Sequence, residues 1–141
     1  MAPVSAPALK PLRWPAFWVG LWVLAMAVVV TTCLLPGDDI PQVAPGVDKL
    51  QHASAFFVLA VCAVQLFATR RALLRAGAGL VMLGVLIEFL QGWFTVDRTP
   101  DAFDALADAL GVALGLLVAR TPARDLLLRL FPAKVRRSQR T

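Results

Sequence analysis

One histidine and nine acidic side chains are spread through this 141-residue chain, and several of them recur at helical spacing. Asp48 stands four residues before His52 and Lys49 three before it; Glu88 and Gln91 are three apart, Asp104 and Asp108 four apart, and Arg98 lies between these last two pairs. Residues three or four apart share one face of a helix. Three helical segments therefore each bring a polar pair to one face. In such a group His52 can act as a general acid or base, Glu88 and Asp104 can bind a cation or take a proton, and Lys49 with Arg98 can hold a phosphate or carboxylate. The expected catalytic set is His52, Glu88 and Asp104; the expected ligand-binding set is Lys49, Gln91, Arg98, Asp48 and Asp108. An imidazole among carboxylates can also hold a divalent cation, although no local metal motif such as HExxH names one.

The segments that carry these residues are unusually apolar. Hydrophobic side chains make up 59% of the chain and charged ones 16%, with a mean hydropathy of +0.72. Soluble domains hold about 45–50% apolar and about 25% charged residues. A single small core cannot hide this excess, so it must face lipid. A spanning helix needs about 20 mostly apolar residues, and four segments qualify: Ala16 to Leu35, His52 to Thr69, Ala76 to Phe94 and Phe103 to Ala119. The first is longer than a signal-peptide apolar region and has no small-x-small cleavage site, which favours a membrane helix.

Charge sorts the connections. The N-terminal tail, the Arg70–Arg71–Arg75 stretch and the C-terminal tail together hold 12 of the 14 basic residues, leaving only Lys49 and Arg98 for the two alternate connections. The positive-inside rule then puts both termini in the cytoplasm. The expected fold is an all-α, four-helix integral membrane bundle. A cytoplasmic tail over 1–15 precedes a membrane domain over 16–119, and a basic tail over 120–141 follows it. In that tail ARDLLLRLF can form a short amphipathic helix on the inner surface, with Leu127, Leu130 and Phe131 on one face. A net charge of +5 without aromatics among the basic residues gives no reason to expect nucleic acid as a partner. Cys33 and Cys62 lie far apart in apolar runs and read as small hydrophobes.

The acids gather on the opposite side. Only 12 uncharged residues separate Arg75 from Glu88, about 18 Å of helix against an apolar layer about 30 Å thick. Eleven separate Asp108 from Arg120. Glu88 and Asp108 must therefore lie below the outer interface, where a charge costs about 2.5–3.5 kcal/mol and needs partners. Asp48, Glu88, Asp97, Asp101, Asp104 and Asp108 face only Lys49 and Arg98, a formal balance of −4. Either some carboxyls are protonated or a cation binds. Ala107, Gly111, Gly115 and Ala119 form a stripe of small residues that lets another helix approach closely and turns Asp104 and Asp108 toward neighbours.

The order Asp48-Lys49-x-x-His52, Glu88-x-x-Gln91, Arg98, then Asp104-x-x-x-Asp108-x-x-Gly111-x-x-x-Gly115 resembles the VanZ-like family of small bacterial membrane proteins, over roughly Val47 to Ala119. The family pattern usually has Asn where this chain has Asp108, so this chain carries an added negative charge there. The resemblance implies a protein of the bacterial cytoplasmic membrane with an envelope role, linked to low-level resistance to the glycopeptide teicoplanin. Two function classes follow. In the first, the outer cluster binds a membrane lipid headgroup, a lipid-linked envelope precursor or a glycopeptide-type ligand. In the second, a membrane-embedded enzyme acts on a lipid-linked or peptidoglycan-related substrate through His52, Glu88 and Asp104. Four spans without an internal repeat argue against an ordinary secondary transporter.

Overall fold

A computed structural model of the chain describes residues 6–35, 47–94 and 101–133. Most of the described residues are helical: α1 (Pro15–Cys33), α2 (Val47–Leu66), α3 (Arg70–Phe94) and α4 (Ala102–Leu117), then 3-10 turns at Val118–Arg120 and Pro122–Asp125, and the five-residue α5 (Leu126–Leu130). Four helical stretches are long and apolar enough to cross a membrane. Large apolar side chains such as Met82, Phe89, Leu110 and Leu114 are left exposed on their flanks, as lipid-facing helices require.

The helix bounds differ from the apolar runs in an informative way. α2 begins at Val47 rather than His52, which puts Asp48 and Lys49 on the helix that carries His52. α3 begins at Arg70 rather than Ala76, because Thr69 caps it: Thr69 Oγ1 accepts from Ala72 N–H at 3.2 Å. Arg70, Arg71 and Arg75 thus belong to a helix and not to a loop. Hydropathy reports the apolar layer, whereas hydrogen bonding sets the helix end.

The core lies between α2, α3 and α4, built on Phe56, Leu59, Ala60, Leu80, Ile87 and Val112. α2 and α4 form the tightest pair. The expected small-residue stripe explains why. A methyl group on Gly111 would overlap the Ala53 carbonyl, and one on Gly115 would sit 2.6 Å from Phe57 O and 2.7 Å from Ala60 Cβ. Helix backbones can touch there only because the side chains are absent. α1 is peripheral, with none of its residues buried. It leans on α2 through Trp22, whose Nε1 donates to Leu59 O at 2.9 Å. An open apolar groove of about 570 Å³ runs between α1 and α2, lined by Leu21, Leu24, Val28, Ser54 and Val58.

At one end of the bundle the N-terminal segment and the chain beyond α4 meet. The last carbonyls of a helix have no partner within it. Here Lys10 N–H donates to Leu66 O at 2.8 Å, Lys10 Nζ to Val64 O at 2.8 Å and to Arg124 O, and the same ammonium pairs with Asp125 at 2.7 Å. Gln65 Nε2 donates to Ala123 O at 3.0 Å while its Oε1 accepts from Leu127 N–H at 3.1 Å. Leu12 and Pro132 bridge, and Phe131 rests on Trp18 at 5.1 Å. α5 is shorter than the expected amphipathic helix, and its face differs: Leu127 and Phe131 are half-buried but Leu130 is exposed. We call this the terminal end.

Candidate functional site

The opposite end, hereafter the acidic end, gathers most of the polar residues singled out by spacing. In the first turn of α2, Lys49 bridges to the start of α4, with its Nζ 2.7 Å from Asp101 Oδ2 and 2.9 Å from Asp104 Oδ1. One turn deeper, His52 Nδ1 lies 3.1 Å from Asp108 Oδ1. From α3, Glu88 Oε2 accepts the Asp101 backbone N–H at 2.9 Å. His52, Glu88, Gln91 and Asp104 are at most 6% exposed and Asp108 is fully buried, while Asp48, Lys49 and Asp101 form a half-buried rim. Arg98 lies outside the described residues.

The local sequence accounts for this placement. Asp48 with His52, and Asp104 with Asp108, project one turn apart toward the α2–α4 contact that Gly111 and Gly115 allow. α3 joins them through Gly84: a methyl there would lie 2.6 Å from Asp108 Oδ2 and 2.9 Å from Asp108 Cβ. The bare backbone at Gly84 is what makes room for the Asp108 carboxylate.

Gln91 takes a different direction from Glu88, although both are on α3. Its Nε2 donates to Cys33 O at 2.8 Å, tying α3 to the end of α1. Asp104 faces Lys49, and it is Asp108, expected among the ligand-binding residues, that partners His52.

Electrostatics divide the cluster into a compensated rim and an uncompensated floor. At the rim the Lys49 ammonium, with the Phe103 N–H, holds the Asp101 carboxyl below the usual carboxylate range. On the floor two buried carboxylate oxygens, Glu88 Oε1 and Asp108 Oδ2, have no hydrogen-bond partner among the described residues. Buried charges are normally paired, hydrogen-bonded or bound to metal, because an unpartnered polar atom costs about 1–3 kcal/mol and a charged one more. Asp48, His52 and Asp104, and likewise His52, Glu88 and Asp108, each bring donor atoms within 4.8 Å of one another.

Asp101 has a larger part than its sequence position indicated. Its side chain caps α4 by accepting the Phe103 N–H at 2.8 Å, its second oxygen takes Lys49, and its backbone reaches Glu88. An Asp just before a helical apolar run is a recognisable N-cap, and that signal was available. Gly84 had no such signal, being one more small residue in an apolar helix. No protein family, curated protein or solved structure matches this chain.

Proposed function

We propose that this chain is a VanZ-like multi-pass protein of the bacterial cytoplasmic membrane, with both termini in the cytoplasm, whose acidic end binds the polar headgroup of a membrane lipid, a lipid-linked envelope precursor or a glycopeptide-type ligand. The observation that carries this reading is the floor of the cluster: two buried carboxylate oxygens without partners among the described residues, beneath a half-buried rim of Asp48, Lys49 and Asp101. A purely structural cluster would close its hydrogen bonds, as the terminal end does. A ligand that donates hydrogen bonds or brings positive charge completes it. The apolar groove between α1 and α2 and the exposed apolar flanks suit a ligand that stays in the bilayer.

Mass spectrometry of protein purified in mild detergent tests the reading. Wild type is expected to retain a discrete lipid or precursor that a Glu88→Ala, Asp104→Asn double variant loses at unchanged helicity. Wild type that carries only bulk lipid, with the variant identical, would overturn it.

One observation favours catalysis as a second reading. The buried His52–Asp108 pair has the form of an acid–base histidine oriented by a carboxylate, which leaves Nε2 for proton transfer. With Glu88 and Asp104 beside it, the site would act on a lipid-linked or peptidoglycan-related substrate, and turnover of such a substrate by wild type but not His52→Gln distinguishes enzyme from binder.

A further inference from the structure

We infer that His52, Glu88 and Asp108 form a site for one divalent cation of the zinc or manganese class, held at the junction of α2, α3 and α4. The inference rests on the acidic end being the ligand site and adds what the floor of that site binds.

Three separate features converge. First, the three residues come from three different helices, and each offers a donor atom within 4.8 Å of the other two. Donors on one ion with bonds of about 2.0–2.6 Å lie at most about 4–5 Å apart, so the spacing needs little adjustment. The 3.1 Å between His52 Nδ1 and Asp108 Oδ1 is itself close to the separation of about 3 Å for two donors at right angles on bonds of about 2.1 Å. Second, the atoms that lack partners among the described residues belong to this triad: Glu88 Oε1 and Asp108 Oδ2 are both buried and unpaired there. In the neighbouring group of Asp48, His52 and Asp104, by contrast, Lys49 already occupies Asp104. Third, α3 presents a glycine to the Asp108 carboxylate. Any side chain at Gly84 would crowd Oδ2, so the space beside that oxygen is kept by the choice of residue.

The donor set narrows the ion. Magnesium and calcium favour all-oxygen shells, whereas an imidazole with carboxylates suits zinc, iron or manganese. Two carboxylates balance a divalent charge, which removes the cost of leaving both buried and ionised. Three protein ligands also leave coordination positions open, as in sites that bind a further ligand through the metal. An anionic headgroup such as a phosphate would then be accepted at an end of the molecule that is otherwise strongly negative.

The test uses the full chain in mild detergent, treated with a chelator and then titrated with Mn²⁺ followed by electron paramagnetic resonance, with Zn²⁺ counted by elemental mass spectrometry. One equivalent per chain is expected for wild type. Glu88→Gln and Asp108→Asn should each weaken binding at least about 100-fold, the upper end of what losing even an outer-sphere partner costs, while Asp125→Asn, at the terminal end, leaves it within about threefold. His52→Gln supplies the same comparison should either carboxylate variant fail to fold. No saturable binding by wild type overturns the inference, as does binding that Asp48→Asn abolishes and Glu88→Gln preserves. Wild type that keeps a discrete lipid yet binds neither ion removes the metal alone. Wild type that keeps neither removes the ligand site as well.

Discussion

The two polar ends of the bundle are built from similar residues and solve opposite problems. At the terminal end a buried ammonium, Lys10, reaches two carbonyls and one carboxylate, and Gln65 uses both ends of its amide. Among the described residues the buried side-chain polar atoms there all have partners. At the acidic end five described carboxylates, those of Asp48, Glu88, Asp101, Asp104 and Asp108, surround one ammonium and one imidazole, and two oxygens are left over. A buried network that is fully satisfied stiffens a structure, and one that is partly satisfied costs stability until something completes it. The contrast separates polar residues that hold the fold from polar residues held for a ligand.

That contrast predicts opposite signs for mutations at the two ends. The largest effect is expected at Lys10. Lys10→Ala leaves the Val64 and Arg124 carbonyls without their donor and Asp125 without its cation, a loss of about 3 kcal/mol, visible as a lower thermal midpoint in detergent. Equal stability of wild type and variant would mean that the terminal end is not a structural clip. At the acidic end the sign reverses: Asp108→Asn removes a buried charge whose Oδ2 has no partner among the described residues, while the amide oxygen can still meet His52, so in chelator it should unfold no more easily than wild type and gain up to about 2 kcal/mol, while losing bound ligand. Marked destabilisation without ligand loss would place Asp108 with the structural residues and erase the contrast.

The smallest effect concerns pH. Lys10 holds the Asp125 carboxyl below the usual aspartate range. A carboxyl with a depressed folded-state pKa contributes stability that is present above its unfolded pKa and lost as pH falls through the folded one. The Lys10–Asp125 pair should therefore be intact near neutrality and fade below about pH 4, and the half-exposed carboxylate limits the change to about 1 kcal/mol or less. Melting curves of wild type and Asp125→Asn between pH 3 and about pH 6 should converge at the acid end. Curves that stay parallel would show that the carbonyl contacts of Lys10, not its charge pair, carry the clip.

Much of the architecture was legible without coordinates, and the reasons are specific. A helix that crosses a bilayer needs about 20 mostly apolar residues, so the four apolar runs pointed to the four helices that are long and apolar enough to cross a membrane. Lys10 illustrates the limit. By charge it read as a topology signal, which is a statement about loops, and nothing local to Lys10 indicated that α2 would end where the ammonium could cap it. Gln91 illustrates another. Its spacing from Glu88 put both on one side of α3, yet one helical face spans enough arc for Glu88 to meet α4 while Gln91 meets α1.

By itself the sequence determined what depends on local, additive quantities: four helices able to span a bilayer, the gathering of acids toward one end, and the pairing of Asp48 with His52 and of Asp104 with Asp108 along their helices. Only the tertiary structure decided who meets whom across helices. Lys49 took Asp101 and Asp104, His52 took Asp108, and Glu88 Oε1 and Asp108 Oδ2 were left without partners among the described residues. The physical reason is that interhelical pairing depends on how each helix rotates and how closely two backbones approach. Those distances are set at Gly84, Gly111 and Gly115, where the absence of a side chain matters only once the neighbour is known.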